Sequence, residues 1–314
     1  MTGPSSTPKA RRRDGVASPA PCTLTVDQCR RFYAEEIRVV AGIRSQALVE
    51  AFANVPREHF LGIPPWRYSS GFSLQTGAYR ATEDIRDLYH DVFVALKQQE
   101  ILNNGQPSLI ARLLEALDLG PGKRVAHIGC GTGYYSAILA EIVGQSGSVV
   151  ALEVDGDLAA QAAANLREYR QVKLLHLDGA RAAPGHSDAI LVNAGVTHVP
   201  AAWLHDLAPR GVLVVPLLIG KDPSSSDSLV VRIVRDNEGF AATPLTVLTI
   251  YPSPSSRDAS MLVSLHAAFE SRKILGLHSV RAYPHEREES CIVHSSLFCL
   301  SSDPVRNPAT GKAG

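Results

Sequence analysis

The segment Arg124-Val-Ala-His-Ile-Gly-Cys-Gly-Thr-Gly-Tyr-Tyr-Ser136 is the most informative part of the sequence about the fold class, because an apolar run changes there into a glycine-rich turn. The apolar run has the length of a buried strand, and residues 137–143 have the composition of a helix. Glycines at the turn let the chain bend sharply and bring backbone amides close to a bound molecule. A glycine triplet is common by itself, so a ligand-binding turn is predicted only together with the strand before it and the helix after it.

Further apolar runs of strand length flank this segment and mostly alternate with helical segments, which is typical of a parallel sheet wrapped by helices. The turn sequence Asp236-Asn-Glu-Gly239 separates the last two runs and predicts an antiparallel hairpin that closes the sheet. The fold class is therefore α/β, with a doubly wound, mostly parallel seven-stranded sheet. The predicted strands are residues 124–128, 148–153, 173–177, 189–193, 212–218, 229–235 and 240–251.

Outside the sheet, the chain divides by composition. Residues 25–61 have helical apolar spacing, whereas residues 62–79 contain prolines, glycines and aromatics without a period and predict a loop that either covers substrate or only connects. One further helix is predicted near residues 259–269. The predicted regions are a disordered tail (1–24), an N-terminal helical cap (25–106), a cofactor-binding core (107–255) and a C-terminal extension of undisclosed role (256–314).

The composition excludes several classes of partner. With 31 basic and 31 acidic residues, the net field favours neither nucleic acid nor an anionic membrane. No apolar stretch approaches the roughly 20 residues that span a bilayer. The five cysteines are scattered without a Cys-x-x-Cys pair, which predicts free thiols and a cytoplasmic location. Although His285, Cys291 and His294 form a loose trio, they lack a zinc-type arrangement, so no metal site is predicted.

Two acids after the glycine turn indicate a nucleoside-bearing cofactor. Glu153 ends the next predicted strand, where a carboxylate can accept hydrogen bonds from both ribose hydroxyls. Tyr134 stands where a dinucleotide motif requires its third glycine, so the spacing instead resembles that of Rossmann-like S-adenosylmethionine-dependent methyltransferases. Asp178 follows the third strand, where those enzymes bind the amino group of adenine. As an alternative, Asp178 and Asp155 are loop or helix caps.

Several motifs between residues 55 and 216 carry a more specific resemblance. They are Val55-Pro-Arg-Glu-His-Phe60, Gln106-Pro-Ser108, Pro121-Gly-Lys-Arg-Val125, Asp188-Ala-Ile-Leu-Val-Asn-Ala-Gly195 and Leu207-Ala-Pro-Arg-Gly-Val-Leu-Val-Val-Pro216. In order and spacing, these motifs resemble those of the protein-L-isoaspartate methyltransferases. The resemblance implies transfer of a methyl group from S-adenosylmethionine to the carboxylate of an L-isoaspartyl residue in a protein or peptide, the first step of protein repair.

The resemblance also implies a set of cofactor-binding residues. His127 replaces the acid that usually helps to hold the methionine amino group. A neutral histidine accepts one hydrogen bond and a protonated one repels the ammonium, so this role predicts that activity falls below about pH 6.5. Simple packing is the alternative for His127 and for Tyr134. The implied residues are His127, Gly129, Gly131, Gly133, Tyr134, Glu153, Asp178, Gly179 and Asn193.

The substrate loop departs from the family. A Thr-Ile-Ser run normally supplies hydroxyl and amide donors to the substrate carboxylate, whereas this chain has Asn103-Asn-Gly105. Asn104, Gly105 and Gln106 are the candidate catalytic residues, through side-chain amides or a backbone amide. Equally, the three residues before Gln106 form only a tight turn.

These departures leave three alternative functions open. One is a carboxyl methyltransferase of a dedicated peptide or natural product. The second is an RNA-base methyltransferase, which the low aromatic content of 6% and the lack of a basic stripe disfavour. The third is a non-catalytic regulator that binds S-adenosylmethionine.

Overall fold

The structure is a computed structural model that describes residues 23–71, 79–97, 102–222, 224–282, 284–295 and 298–305. Nearly all of the predicted tail lies outside these residues. Within them, no helix has the length and apolar character needed to cross a bilayer.

The central sheet contains all seven predicted strands. They are β4 (Arg124–Ile128), β5 (Ser148–Glu153), β6 (Val172–His176), β7 (Ser187–Val192), β8 (Leu207–Leu218), β9 (Asp227–Arg235) and β10 (Phe240–Thr249). Five of them run parallel in the order β6-β5-β4-β7-β8, and β9 and β10 continue the sheet as an antiparallel hairpin. The chain moves from β4 toward one edge and later returns to build the other side, so ligands are expected at the carboxyl ends of β4 and β7.

The hairpin does not close the sheet, so this part of the prediction is wrong. The C-terminal extension adds β11 (Ser279–Arg281), β12 (Cys291–His294) and β13 (Cys299–Ser301). Phe240 of β10 pairs antiparallel with Val280 of β11, and the order β12-β13-β11-β10 completes a ten-stranded sheet. Strands of three or four residues are too short to show a period in the sequence.

Helices cover both faces of the sheet, which confirms the doubly wound prediction. Because side chains alternate along a strand, Val125 joins one apolar cluster and Ala126 the other. The first cluster includes residues of the N-terminal helices, such as Tyr33, and the second includes Trp203 and Leu265. The helices are α1 (Val26–Ala41), α2 (Gln46–Asn54), α3 (Pro107–Glu115), α4 (Tyr134–Val143), α5 (Gly156–Asn165), α6 (Ala201–Asp206) and α7 (Ala259–Glu270).

The N-terminal region contains a small sheet as well as helices. Its strands are β1 (Trp66–Ser70), β2 (Arg80–Thr82) and β3 (Val92–Val94), in the order β2-β1-β3. The prediction of a loop at residues 62–79 is therefore wrong for β1, and residues 72–78 of that range lie outside the described residues. Just after β3, Leu96 approaches the glycine turn: a Cβ placed on Gly131 would lie 3.6 Å from its Cδ1. The small sheet thus places Leu96 beside the glycine turn of the predicted cofactor site.

Candidate cofactor and substrate site

The glycine turn joins β4 to α4 as the sequence predicts. Gly129, Gly131 and Gly133 have φ values of 75°, 57° and 95°, in the left-handed region that favours glycine. Gly133 is also the N-cap of α4, and a Cβ there would lie 2.8 Å from Cδ1 of Leu166. A side chain at Gly133 would therefore require both a strained backbone and a shift of α5's C-cap residue.

Glu153 is fixed beside this turn at the end of β5. Its Oε2 accepts a hydrogen bond from the amide of Gly131 at 2.7 Å, and its Oε1 accepts from the amides of Val154 at 2.9 Å and Asp155 at 3.0 Å. The residue is only 6% exposed. Because a carboxylate has about four lone-pair sites, these three bonds leave capacity for a ribose hydroxyl.

Asp178 and Gly179 follow β6 at the same edge. Asp178 accepts from the amide of Ala180 at 3.0 Å and pairs with Arg181 at 3.4 Å, so the carboxylate also stabilises its own turn. Gly179 packs closely on the end of β4, since a Cβ there would lie 2.5 Å from Cγ2 of Ile128. The adenine contact at Asp178 stays a prediction.

Asp155 is a helix cap, as the alternative interpretation holds. It is the N-cap of α5, and its carboxylate accepts from the amides of Asp157 at 3.0 Å and Leu158 at 3.1 Å. It also forms an ion pair of 2.6 Å with Lys97, which follows β3. This pair connects the N-terminal region to the rim of the glycine turn.

His127 is buried and both ring nitrogens have partners. Its Nδ1 lies 2.8 Å from Oγ of Ser136, and its Nε2 lies 3.0 Å from Nδ2 of Asn193. Burial lowers the pKa of His127 to about 3, so the ring is neutral throughout the physiological range. This contradicts the predicted loss of activity below pH 6.5, and the geometry favours the packing interpretation.

Asn193, unlike His127, has a buried hydrogen-bond acceptor without a partner among the described residues. Its Nδ2 donates to the ring of His127, while its Oδ1 is buried with no hydrogen-bond partner among the described residues. An unpaired buried carbonyl costs free energy unless a ligand or water supplies a donor. Asn193 follows β7, where ligands are expected in this topology.

The side chain of Tyr134 lies away from the turn. Its hydroxyl is 3.4 Å from that of Tyr33, and its ring packs against Phe52, Phe60 and Tyr135 with centroid separations of 6.4, 5.6 and 5.0 Å. Packing therefore accounts for the side chain. Any cofactor contact of Tyr134 is expected from its backbone at the start of α4.

The substrate loop is largely engaged with itself and with its neighbours. Asn103 accepts from the amide of Gly105 at 2.8 Å, which is a tight turn, and Gln106 donates to Asp91 at 2.7 Å. Asn104 accepts through Oδ1 from the amide of Val94 at 2.9 Å, whereas its Nδ2 is buried and has no partner among the described residues. Asn104 is thus the strongest donor candidate of the three.

Two residues that support this loop were missed by sequence reasoning. Arg57 is fully buried and donates to the carbonyls of Leu88 at 2.6 Å and Val92 at 2.7 Å, and to Oδ1 of Asn104 at 3.4 Å. Asp91 accepts from both the amide and the hydroxyl of Ser108, at 2.8 and 2.7 Å. The Val-Pro-Arg-Glu motif offered a signal for Arg57, but nothing in the sequence pairs Asp91 with α3.

Comparisons with known proteins agree with this geometry. The sequence model of "Protein-L-isoaspartate(D-aspartate) O-methyltransferase" matches residues 34–244, about two thirds of the chain. The chain belongs to this family. The protein-L-isoaspartate O-methyltransferase of Methanopyrus kandleri is 32% identical over 60% of this chain and 77% of its own length. That of Dechloromonas aromatica is 32% identical over 73% of this chain and 94% of its own length.

Solved structures support the methyltransferase fold. A protein-L-isoaspartate O-methyltransferase aligns with a TM-score of 0.59 and 20% identity, covering 87% of this chain and 88% of that one. A putative protein-L-isoaspartate O-methyltransferase from Plasmodium falciparum, solved with S-adenosyl-L-homocysteine, aligns with a TM-score of 0.54 and 18% identity, covering 71% and 97%.

The protein-L-isoaspartate O-methyltransferase family uses S-adenosylmethionine, and the residues present fit that cofactor. The turn at Gly131 approaches a ligand with backbone alone, Glu153 provides a fixed carboxylate for a ribose, and Asn193 has an unpaired carbonyl for an ammonium group. These three features lie at the ends of neighbouring parallel strands.

Proposed function

We propose that this chain methylates carboxylates, and that its acceptor is the free carboxylate of an L-isoaspartyl residue in a protein or peptide. The observation that supports methyl transfer is Glu153, which is hydrogen bonded to the amide of Gly131 at the end of β5, where a carboxylate can bind the ribose of the methyl donor. Family membership supports the choice of acceptor. The four described cysteines form no disulfide with one another, which supports the expected cytoplasmic location.

The chain's own residues divide the binding of the cofactor among them. Glu153 accepts a hydrogen bond from a ribose hydroxyl, and Asp178 with Gly179 binds the adenine. The carbonyl of Asn193 accepts from the methionine ammonium, a role that the resemblance alone assigns to His127. His127 instead orients the amide of Asn193 and, being neutral, does not repel the ammonium.

The acceptor needs positioning rather than a base. A carboxylate is already ionised at neutral pH, so no proton must be removed from it. When bound, S-adenosylmethionine supplies the electrophilic methyl group. The chain must hold the acceptor oxygen in line with that group and exclude water. Nδ2 of Asn104 is the proposed donor to the acceptor, and Arg57 and β3 hold its side chain in place.

The test uses labelled S-adenosylmethionine with matched peptides that differ only in an L-isoaspartyl or an aspartyl residue. Transfer of base-labile label to the isoaspartyl peptide alone is the expected result. The substitution Asn104→Ala should lower kcat/KM for the peptide by about tenfold or more while leaving cofactor affinity unchanged. Stable label on total RNA, or cofactor binding without transfer to any acceptor, would contradict the proposal.

A second candidate acceptor is the carboxylate of a dedicated peptide or natural product. The observation that favours it is the bond from the amide of Gly105 to Asn103, which occupies a donor that the usual substrate loop leaves for its ligand. Equal transfer of label to both matched peptides would support this candidate. Transfer to a carboxylate of another class, with no transfer to either peptide, would also support it.

A further inference from the structure

Four potential metal ligands meet at the outer edge of the ten-stranded sheet. They are His285, Cys291, His294 and Cys299, and their ligand atoms all lie within 4.8 Å of one another. All four lie beyond residue 244, where the match to the family model ends. In the sheet, β11, β10, β9 and β8 lie between β13 and β7, so this His2Cys2 cluster is separate from the cofactor and substrate site.

The local backbone explains how the four side chains converge. In a regular strand, residues three apart point to opposite faces, so Cys291 and His294 would diverge. The pairing of β12 with β13 contains a register shift between Cys291 and Val293, which inserts one extra residue and brings both side chains to the same face. Cys299 of β13 lies directly opposite His294. The preceding loop supplies His285.

Distances and geometry within the His2Cys2 cluster suit a tetrahedral zinc ion. Zinc–sulfur bonds of 2.3 Å and zinc–nitrogen bonds of 2.0–2.1 Å give ligand–ligand separations of about 3.3–3.8 Å. Sγ of Cys291 lies 3.6 Å from Nε2 of His285. The two imidazole rings are nearly perpendicular, with centroids 4.7 Å apart and an interplanar angle of 82°. All ligand–ligand separations are 4.8 Å or less, which is within about 1 Å of that range.

Polar contacts around the His2Cys2 cluster point to the same ligand. Nδ1 of His294 is buried and has no hydrogen-bond partner among the described residues. The amide of Glu288 donates to Sγ of Cys291 at 3.3 Å, a contact of the kind that stabilises a metal-bound thiolate. Cys291 and Cys299 are both buried, at 7% and 0% exposure. Two thiolates neutralise a divalent cation, so the complex buries no net charge.

We propose that His285, Cys291, His294 and Cys299 bind one zinc ion. The ion is structural, because four protein ligands leave no open position for a substrate. It joins β12, β13 and the loop before them at the sheet edge. Binding deprotonates both thiols and releases two protons to solvent, with no change of oxidation state.

The first test measures metal directly on the full-length wild-type chain. Protein purified without added metal should contain about one zinc ion per chain by elemental analysis. After removal of zinc by a chelator, titration with cobalt(II) should give the visible bands of a tetrahedral complex together with thiolate charge-transfer absorption. Fully reduced protein that retains no zinc and binds no cobalt would overturn the proposal, as would a Cys291–Cys299 disulfide found by mass spectrometry.

Variants locate the ion. The double substitution Cys291→Ser, Cys299→Ser should abolish zinc retention and the cobalt bands, and lower the melting temperature. Cys29→Ser alters a buried thiol on α1 and serves as the matched control, so its metal content should equal that of wild type. Calorimetric binding of S-adenosylhomocysteine shows whether the core of each variant is folded. Zinc that persists in the double variant would overturn the assignment.

Discussion

At the scale of single residues, the proposed cofactor site depends on side chains whose hydrogen bonds are partly supplied by the protein itself. Glu153 is held by three backbone amides before any ligand arrives. Asn193 is oriented by His127, leaving one carbonyl unpaired. Such preorganisation lowers the entropy lost when a ligand binds.

Replacing Glu153 tests the ribose contact. The substitution Glu153→Ala removes a charged acceptor, so affinity for S-adenosylhomocysteine should fall by about ten- to a hundredfold in titration calorimetry. The variant Glu153→Gln keeps the size of the side chain and one acceptor oxygen, so its affinity for S-adenosylhomocysteine should fall less. The exposed Glu168 provides the control Glu168→Ala. Wild-type affinity in Glu153→Ala would refute the contact.

The buried His127 makes a prediction about pH and stability. Its folded pKa is lowered to about 3 from an unfolded value of about 6.5, so the unfolded chain binds the extra proton between these values. The folded state, in which the ring of His127 is neutral, is therefore favoured most above pH 6.5. As pH falls from about 6.5 toward 3, this group lowers the free energy of unfolding by up to about 1.4 kcal/mol per pH unit.

Urea denaturation at several pH values measures that slope. The variant His127→Gln lacks the titrating ring, so its stability should decline less steeply with acid than that of wild type, while the carboxylates contribute equally to both. Identical slopes would mean that His127 is protonated in the folded state. Methyl transfer itself should show no loss near pH 6.5 attributable to His127.

At the scale of elements, α3 begins with an unusual cap. Its N-cap residue, Gln106, makes no side-chain capping bond, and Asp91 from a distant segment accepts from Ser108 instead. A carboxylate at this end also interacts favourably with the helix dipole. The start of α3 and the substrate loop before it are therefore fixed by tertiary contact.

Removing the carboxylate of Asp91 should loosen this end of α3. The substitution Asp91→Ala deletes three hydrogen bonds, including that from Gln106, and should lower the free energy of unfolding by about 1–3 kcal/mol in urea titrations. The variant Asp91→Asn keeps an acceptor, so its free energy of unfolding should lie between those of wild type and Asp91→Ala. Glu238→Ala, on an exposed turn, is the reference; equal stability of the two alanine variants would argue against the cap.

Elements differ in how far the sequence predicts them. β4 and β5 match their predicted bounds because each is an apolar run of five or six residues before or after a glycine-containing turn. β1 was missed because its partners are remote: Trp66 pairs with Thr82, and Tyr68 with Val94.

The sequence predicts those parts of the candidate site that lie at the ends of recognisable strands. The position of Glu153 follows from its strand and the glycine turn. By contrast, the Asp91–Ser108 contact and the neutral state of His127 arise from packing between distant segments, which no local pattern encodes. Likewise, the bulge in β12 hid the convergence of Cys291 and His294 from spacing arguments.

At the scale of the whole molecule, the C-terminal extension belongs to the main sheet. β11 covers the edge of β10, and α7 places Leu265 in the same apolar cluster as Trp203. An exposed strand edge is a template for pairing with other chains. We therefore expect the extension to protect the edge of β10 from association with other chains.

Truncation tests this role. A chain ending at Ser255 lacks α7 and β11–β13, so it should show a lower melting temperature and elute as aggregates in size-exclusion chromatography. A chain ending at Val305 keeps all described elements and is the matched control. A monomeric, equally stable truncation at Ser255 would contradict the prediction.

The contact between Lys97 and Asp155 joins the N-terminal region, across 2.6 Å, to the loop that follows Glu153 in the proposed cofactor site, and Lys97 holds the pKa of the Asp155 carboxyl below its ordinary value. Both side chains are partly exposed, so dissolved ions compete for the contact. Raising ionic strength should accordingly shorten the residence time of the spent cofactor. Where product departure limits turnover, added salt would then speed the enzyme rather than slow it.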